Sequence, residues 1–210
     1  MKLLLTSNGL CNDSLRNALK KMVDQKKICI AFIPTAASAQ NEDKKWLIED
    51  LFNCKKLGVV DIVDISAVAK DNWLPRLKRA NVIVVGGGDT VYLMEWIVKS
   101  GLDKELPHLL KERVYVGISA GSIVTGKNIS SSSTFLFESD RKNAPLGLGY
   151  TDFYVRPHFN SPDFPKMIDS NLKKVSKELG GDLYAIDDNS AVQFVDGKIT
   201  VVSEGEWKKY

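Results

Sequence analysis

Apolar residues in this chain fall in short continuous runs separated by stretches of helical period. Leu3-Leu-Leu-Thr-Ser reads as a buried strand closed by Asn8-Gly9, and Leu15, Ala18, Leu19 and Met22 then recur at helical spacing. Ile28 to Ile33 is a second strand, ended by Pro34. Asn41-Glu-Asp predicts a helix start with Leu47, Ile48, Leu51 and Phe52 as its core face and Gly58 as its stop. Val59 to Val63, Val82 to Val85 and Val114 to Val116 are further strands. Trp73, Leu74 and Leu77 mark a short helix, and Leu93, Met94 and Ile97 another. Fully apolar strands alternating with amphipathic helices imply an α/β fold, a mostly parallel sheet with helices on both faces.

Past Ser122 the pattern loosens. Residues 130–134 and 138–142 are polar and loop-like, Tyr150 to Val155 is a strand candidate, and Met167 to Leu179 carries one more helical stripe before Gly180-Gly181. Leu183 to Ile186 is a strand. Ala191 to Val195 and Lys198 to Val202 flank Asp196-Gly197, a hairpin signal. No repeat, Pro-rich linker or composition break divides the chain, so a single domain over residues 1–210 is expected.

Composition removes several function classes. Net charge is +3 and the lysines are scattered, which argues against a nucleic-acid partner. The apolar start is too short for a secretory signal, and no run approaches a membrane span, so a cytoplasmic location is expected. Cys11, Cys29 and Cys54 form no Cys-x-x-Cys pair and read as reduced, buried thiols. With two histidines and no ligand cluster, neither a metal nor a cofactor is expected.

The chemistry concentrates at strand ends, where open parallel sheets build their sites. Gly117-Ile-Ser-Ala-Gly121 follows a strand and precedes a helix, the Gly-x-Ser-x-Gly pattern that lifts a serine hydroxyl on a sharp turn. The alternative is a tight turn with no chemistry. Gly86-Gly-Gly-Asp-Thr90 ends the preceding strand. It suits an oxyanion hole shared with the Ala120 N–H, a phosphate cradle, or a plain turn with Asp89 as helix cap. A serine needs a base. His108 precedes its strand and lies at the wrong edge, whereas His158 leaves a strand as Ser119 does, its alternative being a solvated turn residue. Asp187-Asp188-Asn189 also leaves a strand and suits an orienting acid or ordinary turn chemistry. Asp140, Asp152 and Asp163 are weaker acid candidates. The order Ser119, His158, Asp188 differs from that of α/β-hydrolases, in which the acid precedes the histidine.

Five blocks in order resemble the peptidase E family of serine peptidases: 32–37, Val85-Gly-Gly-Gly-Asp-Thr90, Gly117–Gly121, Pro157-His-Phe159 and Ala185-Ile-Asp-Asp-Asn-Ser190. That family contains α-aspartyl dipeptidase, with cyanophycinase a longer relative. The resemblance implies a class I glutamine amidotransferase-like fold, Ser119 as nucleophile, His158 as base, and Gly88 and Ala120 as oxyanion donors. The family's acid is usually Glu, and the matching position is Asp188. Aspartyl dipeptidase reads its substrate's Asp through an arginine after the histidine. Here the only cations of residues 159–177 are Lys166, Lys173, Lys174 and Lys177, which cannot reproduce an Arg fork. Arg156 or Arg141 could serve instead, and Asp89 could meet a substrate's amino group.

The expected function is a serine peptidase for short peptides, dipeptides in particular. Alternatives are an esterase or amidase on the same residues and a non-catalytic small-molecule or peptide-binding module of the same fold. A homodimer through an exposed sheet edge is compatible with this layout.

Overall fold

A computed structural model describes residues 1–24, 27–129, 136 and 146–210. The polar stretches at 130–134 and 138–142, and with them Asp140 and Arg141, lie outside the described residues. Seven strands form the main sheet: β1 (Lys2–Thr6), β2 (Cys29–Ile33), β3 (Val59–Ile62), β4 (Val82–Val85), β5 (Val114–Ile118), β8 (Ser190–Val195) and β9 (Lys198–Ser203). Their order is β3-β2-β4-β5-β1-β8-β9. The first five strands of that order run parallel. β8 is antiparallel to β1 and β9 antiparallel to β8. The hairpin turn has positive φ at Asp196 (47°) and Gly197 (88°), as a two-residue turn between twisted strands requires.

Strand alternation sorts the core into two layers. Leu4, Ile30, Phe32, Val84 and Val116 face α1 (Asp13–Met22) and α2 (Lys45–Lys55). Leu3, Leu5, Ile33, Ile83 and Val85 face the other side, toward α3 (Lys70–Arg79), α4 (Thr90–Ser100), α5 (Leu102–Leu109) and the one-turn α6 (Ala120–Ile123). His108 sits in the last turn of α5, before β5 and away from the carboxyl edge.

Two expectations change. The strand expected at Tyr150 to Val155 is only β6 (Tyr154–Arg156), because Tyr150 and Thr151 instead give their amides to the Thr125 carbonyl. It joins β7 (Leu183–Ile186) and β10 (Trp207–Lys209) in a separate sheet of order β10-β7-β6. β10 has no apolar run to announce it: all three residues are exposed, and its backbone ladder with β7 and the ion pairs Lys208–Asp169 and Lys209–Asp182 hold it. One face of this sheet packs on the main core through Phe153, Val155, Tyr184 and Ile186. The other packs on the Asp169–Leu179 helix.

The second change concerns α2. It begins at Lys45 rather than Asn41, and Ile48 and Phe52 are 68% and 63% exposed. The inward stripe is Leu47, Asp50, Leu51 and Cys54, spaced i, i+3, i+4, i+7. A carboxylate in an otherwise apolar stripe is thereby carried into the interior.

The turn after β5 leaves no room for side chains. A Cβ on Gly117 would lie 2.6 Å from the Gly121 carbonyl oxygen, and one on Gly121 would lie 2.0 Å from that of Val85. Gly121→Ala is therefore expected to destabilise the protein by about 1–3 kcal/mol or more, through forced backbone displacement. Urea unfolding checks this, as a lower midpoint at unchanged m-value.

Candidate active site

In the order β4-β5-β1 three carboxyl ends lie side by side. They project the 86–89 glycine loop, Ser119 and Ser7 to one edge. The second sheet delivers His158 after β6 and Asp188 after β7, and the Phe159 amide donates to the Ile186 carbonyl to link the two loops. Because Ala191 of β8 pairs with Thr6 of β1, the turn at 187–189 is drawn to Ser7. These edges meet around a cleft of 1080 Å³ lined by Ser7, Gly88, Asp89, Ser119, His158 and Asp188, among others.

Ser119 takes φ 48°, ψ −107°, a backbone state unfavourable for any residue with a Cβ. Its neighbours hold it there. Its amide donates to the Thr6 carbonyl (3.1 Å), and its carbonyl accepts from Ser122 and Ile123 at the start of α6. Thr6 Oγ1 donates to the Gly117 carbonyl and Tyr115 Oη to that of Gly121. The glycine loop approaches closely: a Cβ on Gly87 would sit 3.4 Å from that of Ser119.

His158 also has positive φ (64°) and is 8% exposed. Its Nε2 lies 2.9 Å from Ser119 Oγ and its Nδ1 lies 2.7 Å from Asp188 Oδ1. Phe164 stacks on the imidazole with centroids 4.0 Å apart and planes at 11°. Ser7 Oγ donates to Asp188 Oδ1 (2.7 Å) and accepts from the His158 amide (2.8 Å). The adjacent Asp187 does the turn chemistry instead, accepting from Asn189 N, Ser190 Oγ and Glu206 N. A carboxylate one methylene shorter than Glu thus reaches the imidazole because the turn itself is pulled inward. A hydroxyl, an imidazole and a carboxylate in series can move a proton from the hydroxyl to the ring and stabilise the resulting charge.

The family model for peptidase family S51 matches residues 3–202. The chain belongs to peptidase family S51. It is a serine-type peptidase, similar to an uncharacterized peptidase of Listeria monocytogenes (29% identical over 80% of this chain and 82% of that protein). Peptidase E of Shewanella oneidensis is 30% identical over 62% of this chain and 53% of that protein. Among solved structures, a candidate peptidase E from Listeria monocytogenes superposes with TM-score 0.80 at 22% identity, covering 97% of this chain and 98% of that one. A peptidase from an acI-B1 Actinobacterium gives 0.76 at 22%, covering 98% and 88%. The fold is class I glutamine amidotransferase-like.

Not every residue expected at the site of this S51 peptidase lies on the cleft. Arg156 does not: it is fully buried on β6, donates to the Val155 carbonyl, and burial brings its guanidinium down to about 10. A substrate-reading role for Arg156 is therefore withdrawn, since alternation along β6 turns it into the interior. Asp89 does line the cleft, and its Oδ1 caps α4 through the Tyr92 amide (2.8 Å). Lys166 lines the cleft, whereas Lys173 pairs with Asp169. Asp152 pairs with Lys127 and lies off the cleft; Asp163 lines it. Cys54 is buried and Cys11 and Cys29 are half-buried, all as free thiols. No helix among the described residues is long and apolar enough to cross a membrane.

Ser7, Trp46, Phe164 and Asp50 escaped the sequence reading, though all four line the cleft. Only Asp50 had a usable signal, the acid within the 47/50/51/54 stripe.

Two of the cleft acids, Asp188 and Asp50, are tuned in opposite directions. Burial opposes the charge on Asp188, but hydrogen bonds from His158, Ser7 and Ser161 outweigh it and hold the carboxyl below the usual carboxylate range. Asp188 therefore adds stability above its unfolded pKa, and this is lost as pH falls through the lower folded value. Asp50 is 3% exposed; burial first, and the Glu49 charge second, push it up to about 7. The thiols facing it respond in kind: burial and the Asp50 charge raise Cys54 to about 12, and burial with the Asp188 and Asp50 charges raises Cys11.

Between the unfolded pKa of about 4 and the folded value near 7, the folded state keeps a proton at Asp50 that the unfolded chain has lost. Stability falls as pH rises through that window. Asp50→Asn should remove the dependence and gain on the parent by roughly 2–3 kcal/mol between pH 5 and pH 8. Urea melts of both proteins at the two pH values measure the difference.

Proposed function

We propose that this S51 peptidase hydrolyses short peptides, dipeptides among them, with Ser119, His158 and Asp188 acting as nucleophile, base and orienting acid. The observation that carries the reading is the single imidazole spanning Ser119 Oγ at 2.9 Å and Asp188 Oδ1 at 2.7 Å.

With the Nδ1 proton donated to Asp188, Nε2 is left to accept from the Ser119 hydroxyl. Attack of Ser119 Oγ on the scissile carbonyl transfers the hydroxyl proton to Nε2. Asp188, kept ionised by its donors, stabilises the imidazolium. The backbone N–H groups of Gly88 and Ala120 are assigned to the tetrahedral oxyanion. Gly88 suits this role because its φ of 129° turns the peptide, and a Cβ there would strike the Ala36 carbonyl at 2.3 Å. Imidazolium Nε2 then protonates the leaving amine, the C–N bond breaks, and an acyl-Ser119 ester remains. Water, deprotonated by His158, attacks the ester, and the proton returns to Ser119 Oγ as the acid product leaves. Ser7 and Phe164 position the histidine: Ser7 holds its backbone and its acid, and Phe164 holds the plane of its ring.

Ser119→Ala should abolish hydrolysis across a panel of α- and β-aspartyl dipeptides, other dipeptides, amino-acid amides and esters. A small fluorophosphonate should add its mass to Ser119 in the parent only. Wild-type turnover by Ser119→Ala would overturn the reading, and activity confined to esters or amides would replace the peptidase substrate class. Asp188→Asn, which alters the tautomer at unchanged shape, should lower kcat by about 10³–10⁴-fold in steady-state assays.

A further inference from the structure

Asp50 takes no part in that hydrolysis, yet its carboxylate belongs to the same cleft. It lies 3% exposed on α2, packed so tightly under the chain that a Cβ on Gly9 would sit 2.4 Å from Oδ1. Among the described residues no hydrogen bond or ion pair reaches it, and its charged neighbour is Glu49, of like sign. Buried carboxylates are ordinarily paired or hydrogen-bonded, so this one lacks the partner its position demands. The same wall carries Glu42, Glu49, Asp89 and Asp163 against the cation of Lys166. Asp89 has one oxygen committed to capping α4, and Asp188 is committed to His158. Among the described acids of the cleft, Asp50 alone is buried, uncommitted and open to the substrate's space.

We infer that Asp50 determines specificity for a cationic nitrogen on the substrate, either the free α-ammonium or a basic side chain, held in a charge-assisted hydrogen bond at the cleft floor. The inference rests on the hydrolytic reading above and deepens it. An ammonium supplies what the site lacks: donors for a carboxylate without any, and positive charge for an acidic wall. Burial in a region of low dielectric makes such a contact selective, because a neutral substrate leaves the carboxylate unsatisfied. The affinity of Asp50 for a proton near neutral pH is the same deficit met by the smallest available cation.

The test compares kcat/KM for p-nitroanilides of alanine (free α-ammonium), N-acetylalanine (no cation), N-acetyl-lysine (side-chain cation only) and aspartic acid. The parent should favour alanine or N-acetyl-lysine over N-acetylalanine by about tenfold or more, and whichever is favoured identifies the source of the cation. Asp50→Asn and Asp50→Ser should each bring that ratio toward one while the N-acetylalanine value stays within about threefold of the parent. Fluorophosphonate labelling of Ser119 in both variants reports intact hydrolytic machinery. Retention of the parent's ratio in both variants overturns the proposal. So does a parent preference for the aspartic anilide that disappears in Asp50→Asn, which would make Asp50 a protonated donor to a carboxylate. Loss of labelling together with all activity in both variants also overturns it, by making the position structural. Hydrolysis surviving in Ser119→Ala would instead remove the reading beneath it, leaving these outcomes distinguishable.

Discussion

The hydroxyl of Ser7 is where the two sheets of this protein meet chemically. It donates to Asp188 and accepts from the His158 amide, while its own amide donates to the Ser190 carbonyl. His158 and Asp188 both sit in loops of the smaller sheet, and His158 has a backbone conformation that side chains disfavour. Ser119 sits in an equally unfavourable conformation on the larger sheet, its amide held by the carbonyl of Thr6, the residue before Ser7. The last turn of β1 therefore anchors the hydroxyl, the imidazole and the carboxylate together. Strain of this kind persists only where the surroundings over-determine it, and here the glycines without room for a Cβ supply that constraint.

Two carboxylates in one cleft have opposite electrostatic fates because they have opposite hydrogen-bond environments. Asp188 is partly buried but receives donors from three side chains, so its charge is favoured. Asp50 is more deeply buried and receives none, so its charge is disfavoured. The first arrangement suits a group that must stay ionised beside an imidazolium. The second suits a group whose partner arrives from outside. With Glu49 adjacent and further acids along the wall, the cleft presents the negative charge that the proposed contact with a cationic nitrogen calls for, and its one lysine, Lys166, offers no Arg fork for an N-terminal aspartate.

Much of this was legible in the chain. The apolar runs at Leu3, Ile30, Val82 and Val114 became buried central strands, because parallel strands covered on both faces must be apolar throughout. Asp196-Gly197 turned the hairpin as its conformational preference dictates. Asking which polar residues follow strands separated His158 from His108 and placed Ser119, His158 and Asp188 at one edge. Periodicity misleads at α2, where of the expected core face Leu47, Ile48, Leu51 and Phe52 only Leu47 and Leu51 turn inward. Leu47, Ile48, Leu51 and Phe52 span two overlapping helical stripes, and hydrophobicity alone favours the more apolar one. It misleads again at β6, where the backbone of Tyr150 and Thr151 finds a partner in Thr125 and the strand begins late.

By itself, the sequence determined the alternation of strand and helix, the hairpin, the turn at Ser119 and the chain order of Ser119, His158 and Asp188. Each depends on local periodicity or on the conformational demands of a few adjacent residues. Only the tertiary structure decided that Ser7 joins Asp188 to the His158 backbone, that Asp187 serves the turn, that Arg156 points into the core and that Asp50 is buried without a partner among the described residues. Those outcomes depend on which elements pack against which, and on the direction of each side chain at the contact. A one-dimensional pattern carries no such information, because the free energy of a buried charge is set by neighbours distant in the chain.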